Sequence, residues 1–132
     1  MEPDLTEVRS ICPHFGIMEQ QSGANGWNTR MEAPAPKPGQ MMLWAMQSIA
    51  HGADYVSFFR WRTAVMGTEI YWHGILDYDN RDNRKLSEVY RIWKRTEAIS
   101  EMAGADYQAA LDLCGTMTTS GFPVGCVAYE TG

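Results

Sequence analysis

Apolar positions recur along the chain with two different periods, and the alternation between them outlines its organisation. In residues 4–12, Leu5, Val8 and Cys12 share one helical face and Pro13 stops the run. Residues 14–19, from His14 to Glu19, predict a short buried strand, bounded by Pro13 and a polar run. Residues 20–39 hold Gly23, Gly26, Pro34, Pro36, Pro38 and Gly39 and predict a long loop, of a length that usually carries function. Residues 40–51 predict a helix whose apolar face is Leu43, Trp44, Met46 and Ile49, with Gly52 as its left-handed C-cap. Residues 53–60, with Tyr55, Val56, Phe58 and Phe59, predict a second buried strand. A second long loop covers 61–81. Asp82 then caps a helix running to about Met102, with Leu86, Val89, Tyr90, Trp93 and Ile99 on its inner side and Gly104 at its end. Residues 106–113 predict a third strand. From Cys114 onward the Thr/Gly-rich sequence follows neither period and reads as coil with room for one hairpin.

Strands alternating with helices mean βαβ units and a parallel sheet, so the fold class is α/β. The long loops follow the strands, and the turn from helix back to strand is short. In a (β/α) barrel the loops at the strand C-termini carry the active site. A closed barrel takes roughly 250 residues. Two βα units cannot close one, which leaves a small open α/β domain or a piece of a larger fold.

The chain has 132 residues, 45% hydrophobic and 20% charged, with a net charge of -5. That composition is globular. The acidic balance argues against nucleic-acid binding. No apolar run approaches the roughly 20 residues needed to span a bilayer. The N-terminus, Met1-Glu2-Pro3-Asp4, lacks a secretory apolar core, so a cytoplasmic location is expected. Cys12, Cys114 and Cys126 are far apart with no Cys-x-x-Cys spacing. Reduced thiols are expected, with neither zinc nor a disulfide framework. Five Trp and nine Met are many for this length and hint at a binding surface.

Glu19 follows an apolar strand and precedes Gln20 and Gln21, whose amides can hydrogen-bond hydroxyls. At the end of a barrel strand its carboxylate would sit at the pocket rim as a nucleophile or general base; the alternative is a strand-terminal surface Glu. Trp27, on the following loop, either stacks on a sugar ring or anchors the loop. Arg60, Trp61 and Arg62 end the second strand, and Phe58 and Phe59 suit core packing better than a pocket floor. Glu69 and His73 are spaced i, i+4, which on a helical turn puts both on one face, able to grip adjacent hydroxyls. A second His is missing, so no metal is expected there. His14 opens a strand and His51 closes a helix, and both read as structural. Asp77, Asp79, Asn80 and Asp82 do not have EF-hand spacing and read as a solvated turn and helix cap.

Three blocks together resemble glycoside hydrolase family 42, the microbial β-galactosidases. The first is Ile17-Met18-Glu19-Gln20-Gln21-Ser22-Gly23 with Trp27, Pro34 to Gly39 and Leu43-Trp44. The second is Ala50-His51-Gly52-Ala53-Asp54 running into Ser57-Phe58-Phe59-Arg60-Trp61-Arg62. The third is Gly67-Thr68-Glu69-Ile70-Tyr71-Trp72-His73-Gly74-Ile75-Leu76-Asp77. The resemblance covers about residues 4–113. It implies a C-terminal fragment, about the last two βα units, of a (β/α)8 TIM barrel. Residues 1–104 would belong to the catalytic barrel and 105–113 to the start of a trimerisation domain. Residues 114–132 would be a divergent tail, frame-shifted or disordered. The implied activity is retaining hydrolysis of terminal β-D-galactosyl residues, without a cofactor, in a homotrimer. Glu19 matches the catalytic nucleophile, and Trp27, Glu69 and His73 match residues that hold galactose. The acid/base glutamate has no counterpart in this chain, so the fragment alone is expected to be inactive. The alternatives are a non-catalytic carbohydrate-binding or interaction module, and a related retaining glycosidase of other specificity.

Overall fold

A computed structural model describes residues 5, 8–9, 11–27, 30–103, 105, 112–117 and 123–128. Leu5, Val8, Arg9 and Ile11 are helical, and Cys12 N–H donates to Val8 O at 2.8 Å before Pro13. Strand β1 (Gly16–Gln21) follows. A hairpin of β2 (Asn25–Trp27) and β3 (Arg30–Ala33) comes next, then helix α1 (Gln40–Ala50), strand β4 (Tyr55–Phe59) and helix α2 (Arg84–Ala98). A 3-10 turn, Ser100–Met102, extends α2. Strands β5 (Asp112–Met117) and β6 (Pro123–Ala128) pair antiparallel, with Cys114 opposite Cys126.

β1 and β4 pair in parallel across α1, the βαβ unit that the periodicity predicts. The return from α1 is short because Gly52, at φ 88°, takes the left-handed cap and donates to Ile49 O at 2.9 Å. Asp54 N–H then donates to Phe15 O at 2.8 Å, aligning the starts of the two strands. Met41 and Ala45 of α1 meet Ile92 of α2, with Met42, Met46, Phe58 and Val89 packed around them. Burying Met41 and Ile92 contributes roughly 2 kcal/mol each.

Several expectations are corrected. The loop at 20–39 contains the β2–β3 hairpin, which satisfies backbone groups that a bare loop would leave to water. β1 ends two residues later than expected. Neither β1 nor β4 is buried throughout: Met18, Glu19, Tyr55 and Ser57 are exposed, because among the described residues the sheet has only these two strands. On α1 the fully buried positions are Met41, Ala45 and Ser48, while Leu43 is 63% exposed. On α2 the buried positions are Lys85, Glu88 and Ile92, while Tyr90 and Trp93 are exposed and pack on each other. The cap of α2 is Asn83 rather than Asp82; its Oδ1 accepts from Leu86 N–H at 3.0 Å. Gly104 and residues 106–111 of the expected third strand lie outside the described residues; the observed strand starts at Asp112.

Candidate functional site

The parallel register sets Gln21 opposite Phe59, so the segments leaving β1 and β4 emerge side by side. Ser22 joins them. Its hydroxyl is fully buried and donates to Phe59 O at 2.7 Å, with Arg60 O and His73 O at 3.4 Å. Gly23 lies against His73: a Cβ on Gly23 would fall 2.6 Å from the His73 carbonyl oxygen and Cβ. His73 N–H donates to Ala24 O at 2.9 Å. Only glycine permits this approach.

The loop after β4 is folded back by backbone bonds. Ile75 N–H donates to Arg60 O at 2.7 Å and Leu76 N–H to Trp61 O at 2.8 Å. Gly74 is pressed on the strand exit, since a Cβ there would lie 2.6 Å from Arg60 O. Buried Thr63 completes the closure: Gly74 N–H donates to its Oγ1 at 3.0 Å, and the hydroxyl donates to Leu76 O at 2.8 Å.

Glu19 lies on β1 at the irregularity between Ile17 and Gln20, where the pairing with β4 shifts. Such irregularities re-aim side chains. Glu19 is exposed, with no hydrogen-bonding or ionic partner among the described residues. Gln21, expected to face a ligand, is engaged instead with its own loop: its amide donates to Gly23 O at 2.9 Å and Pro34 O at 2.8 Å. Trp27 closes β2, paired with Arg30 in the hairpin rather than on an open loop.

Glu69 and His73 do not share a helical face. Residues 68–71 form turns, and Trp72 N–H closes on Glu69 O at 3.1 Å, an i→i+3 contact. The backbone bonds that draw the loop onto the β4 exit leave no room for a helix. Arg60 holds Glu69, with Nη1 donating to Oε2 at 2.9 Å and Nη2 to the Glu69 carbonyl at 3.0 Å. Arg60 Nε is buried without a partner among the described residues. His73 stands edge-on to Tyr78, with Nδ1 4.0 Å from Asp77 Oδ1. Asp77 is fixed from α2: Lys85 Nζ donates to Oδ1 at 2.7 Å and Asn83 Nδ2 to Oδ2 at 3.1 Å.

A cavity of about 400 Å³ is lined by Ala24, Ala35, His73, Asp77, Asn83, Arg84 and Lys85. It takes in His73 and leaves Glu19 and Glu69 outside its wall. Among the described residues no three His, Cys, Asp or Glu side chains converge on a metal-sized site. No helix among them is long and apolar enough to cross a membrane. The hydropathy pattern gives no structural role to Ser22, to Thr63 or to the Arg60 side chain. A Ser-Gly pair directly after an apolar strand was the available signal for a close backbone approach.

The family model for glycoside hydrolase family 42, described as β-galactosidase, matches residues 1–99. A β-galactosidase of Clostridium cellulovorans is 41% identical over 88 residues, 67% of this chain and 13% of that protein. A β-galactosidase of Heyndrickxia coagulans is 32% identical over 108 residues, 81% of this chain and 16% of that protein. Among solved structures, a catalytic mutant of a family-42 β-galactosidase from G. stearothermophilus superposes with a TM-score of 0.73 at 29% identity. It covers 83% of this chain, which spans 16% of it. The β-galactosidase of Halorubrum lacusprofundi gives 0.65 at 33% identity, with the same coverages of 83% and 16%. These neighbours are (β/α)8 barrels, and the present chain is a small α/β piece spanning 13–16% of such relatives. With the family model matching residues 1–99 and the βαβ unit inside that stretch, the chain belongs to glycoside hydrolase family 42.

Proposed function

We propose that this chain supplies one side of the galactose site of a retaining β-galactosidase. Glu19 is the nucleophile in this reading. Its carboxylate attacks the anomeric carbon of a terminal β-galactosyl residue to form a covalent glycosyl-enzyme. An acid/base carboxyl outside these 132 residues protonates the departing oxygen and then activates the water that releases galactose; in a retaining site the two carboxyls stand about 5–5.5 Å apart. Glu69 and His73 hold sugar hydroxyls, through bonds that strengthen as the oxocarbenium-like transition state forms. Trp27 walls the ring. A pocket of paired polar groups rejects an epimer that leaves them unpaired.

The supporting observation is the latch between the two strand exits. Ser22 and Gly23 tie the strand that carries Glu19 to the loop that carries Glu69 and His73, through Phe59 O and the His73 backbone. The names of the relatives support the substrate class. The same reading assigns residues 1–104 to the barrel, 105–113 to the start of a trimerisation domain and 114–132 to a divergent tail. It makes the working enzyme a homotrimer and these residues alone inactive. A cytoplasmic setting suits the exposed free thiol of Cys12.

The test is a chimera: the C. cellulovorans β-galactosidase carrying residues 1–99 of this chain in place of its own matching segment. Glu19→Ala should nearly abolish turnover of an activated β-galactoside, and added azide should restore product as the α-galactosyl azide. Near-normal turnover, or rescue giving the β-azide, would place the nucleophile elsewhere.

A further inference from the structure

We propose that Arg60 is a positioning residue for galactose recognition, orienting Glu69 so that a single carboxylate oxygen faces the sugar; this rests on the reading of Glu69 as a sugar-binding residue. Arg60 is the first residue beyond β4, and its backbone and side chain both organise the loop that follows. Its carbonyl accepts from Ile75 N–H at 2.7 Å and lies under Gly74. Its guanidinium donates to two points on one residue, Glu69 Oε2 at 2.9 Å and the Glu69 carbonyl at 3.0 Å. Side chain and backbone of Glu69 are therefore held by one rigid planar group, which fixes the carboxylate orientation as well as its place.

The surroundings make the clamp directional. The Arg60 side chain is 24% exposed and that of Glu69 is 46% exposed, so the arginine lies beneath and the carboxylate above. The guanidinium carbon sits 5.2 Å from the Phe59 ring centroid, which restrains it from the strand side. Oε2 is occupied, and Oε1 accepts no hydrogen bond among the described residues. A glutamate on an exposed turn otherwise samples several rotamers, and a ligand would have to order it. With Arg60 in place that cost is met within the fold. The carboxylate presents Oε1 as a pre-set acceptor for a sugar O–H, and a hydroxyl in the wrong configuration leaves it unpaired.

A double-mutant cycle on the chimera separates this role from simple support of the loop. Arg60→Met is expected to lower kcat/KM for a β-galactoside about tenfold when Glu69 is present, and by less than about twofold in a Glu69→Ala background. Binding of methyl β-thiogalactoside, which requires no acid/base residue, should show the same non-additivity. Arg60→Lys keeps the charge but not the fork and covers the case in which Arg60→Met fails to fold. It should lose about fivefold with Glu69 and nothing further without it. Equal losses in both backgrounds would make Arg60 a structural residue and overturn the proposal. So would a wild-type Kd and kcat/KM in Arg60→Met. A Glu69→Ala variant with unchanged kinetics would remove the sugar-binding reading of Glu69 itself, an outcome distinct from failure of the clamp.

Discussion

Glu88 of α2 caps α1: its Oε1 accepts the first-turn amide of Met42 at 3.2 Å. α1 begins at a left-handed Gly39 with no side-chain cap of its own, so an orphan amide is satisfied from another helix. The second carboxylate oxygen accepts from Arg84 Nη1 at 2.8 Å, and Arg84 Nη2 reaches Pro36 O at 2.7 Å. Glu88 is 1% exposed, so its charge is tolerated only because these donors surround it.

Glu88→Ala in the chimera is therefore expected to lose about 2 kcal/mol of stability. That is below the usual loss for a broken buried pair, since Arg84 is partly solvated. Glu88→Gln keeps the acceptor for Met42 and should lose less. Thermal inactivation midpoints of the two variants check the order; equal midpoints would mean that the cap contributes nothing.

Gly23→Ala should perturb the latch where it packs on His73, leaving Glu19 and Glu69 untouched. The added methyl falls 2.6 Å from the backbone of His73, which cannot retreat as a flexible side chain could. The expected outcome is a drop of about tenfold or more in kcat/KM. Ser22→Ala leaves Phe59 O without its 2.7 Å donor and should destabilise by about 1–3 kcal/mol. Wild-type kinetics in Gly23→Ala would show that the two exits are not mechanically joined.

Glu69→Ala and His73→Ala are each expected to lower kcat/KM on β-galactosides by about two powers of ten, roughly 3 kcal/mol of transition-state stabilisation. Steady-state kinetics on a chromogenic galactoside are the readout. If both variants kept parental constants, the two residues would be structural.

The 132-residue chain by itself is expected to be aggregation-prone and inactive on β-galactosides. Among the described residues β1 and β4 pair only with each other, so each offers an unpaired edge there. Leu43 and Trp93 are 63% and 53% exposed, and the buried apolar cluster of Met41, Ala45 and Ile92 is small. Ordering still costs about 1–2 kcal/mol per residue. Dispersed amide signals with a cooperative melt from a soluble monomer, or turnover above a Glu19→Gln control, would contradict this.

The sequence by itself determined the succession of β1, α1, β4 and α2, the Gly52 return and the family. Each depends on local signals: apolar period, a left-handed glycine, and three blocks of residues in sequence. Which face of each helix is buried was decided only by tertiary structure. α1 is apolar nearly all round, so its period could not choose Met41 and Ala45 over Leu43. α2 buries Lys85 and Glu88, which no hydropathy pattern places inside. They are there because Gly74 O, Asp77 and the Met42 amide, brought in from outside the helix, surround them together with Arg84 one turn away. The site divides the same way. Glu19, Glu69 and His73 stand out by residue type, but their supports do not. Ser22 acts through Phe59 O and Arg60 through Glu69, contacts that exist only once two parallel strands end side by side and the loop after the second folds back across them.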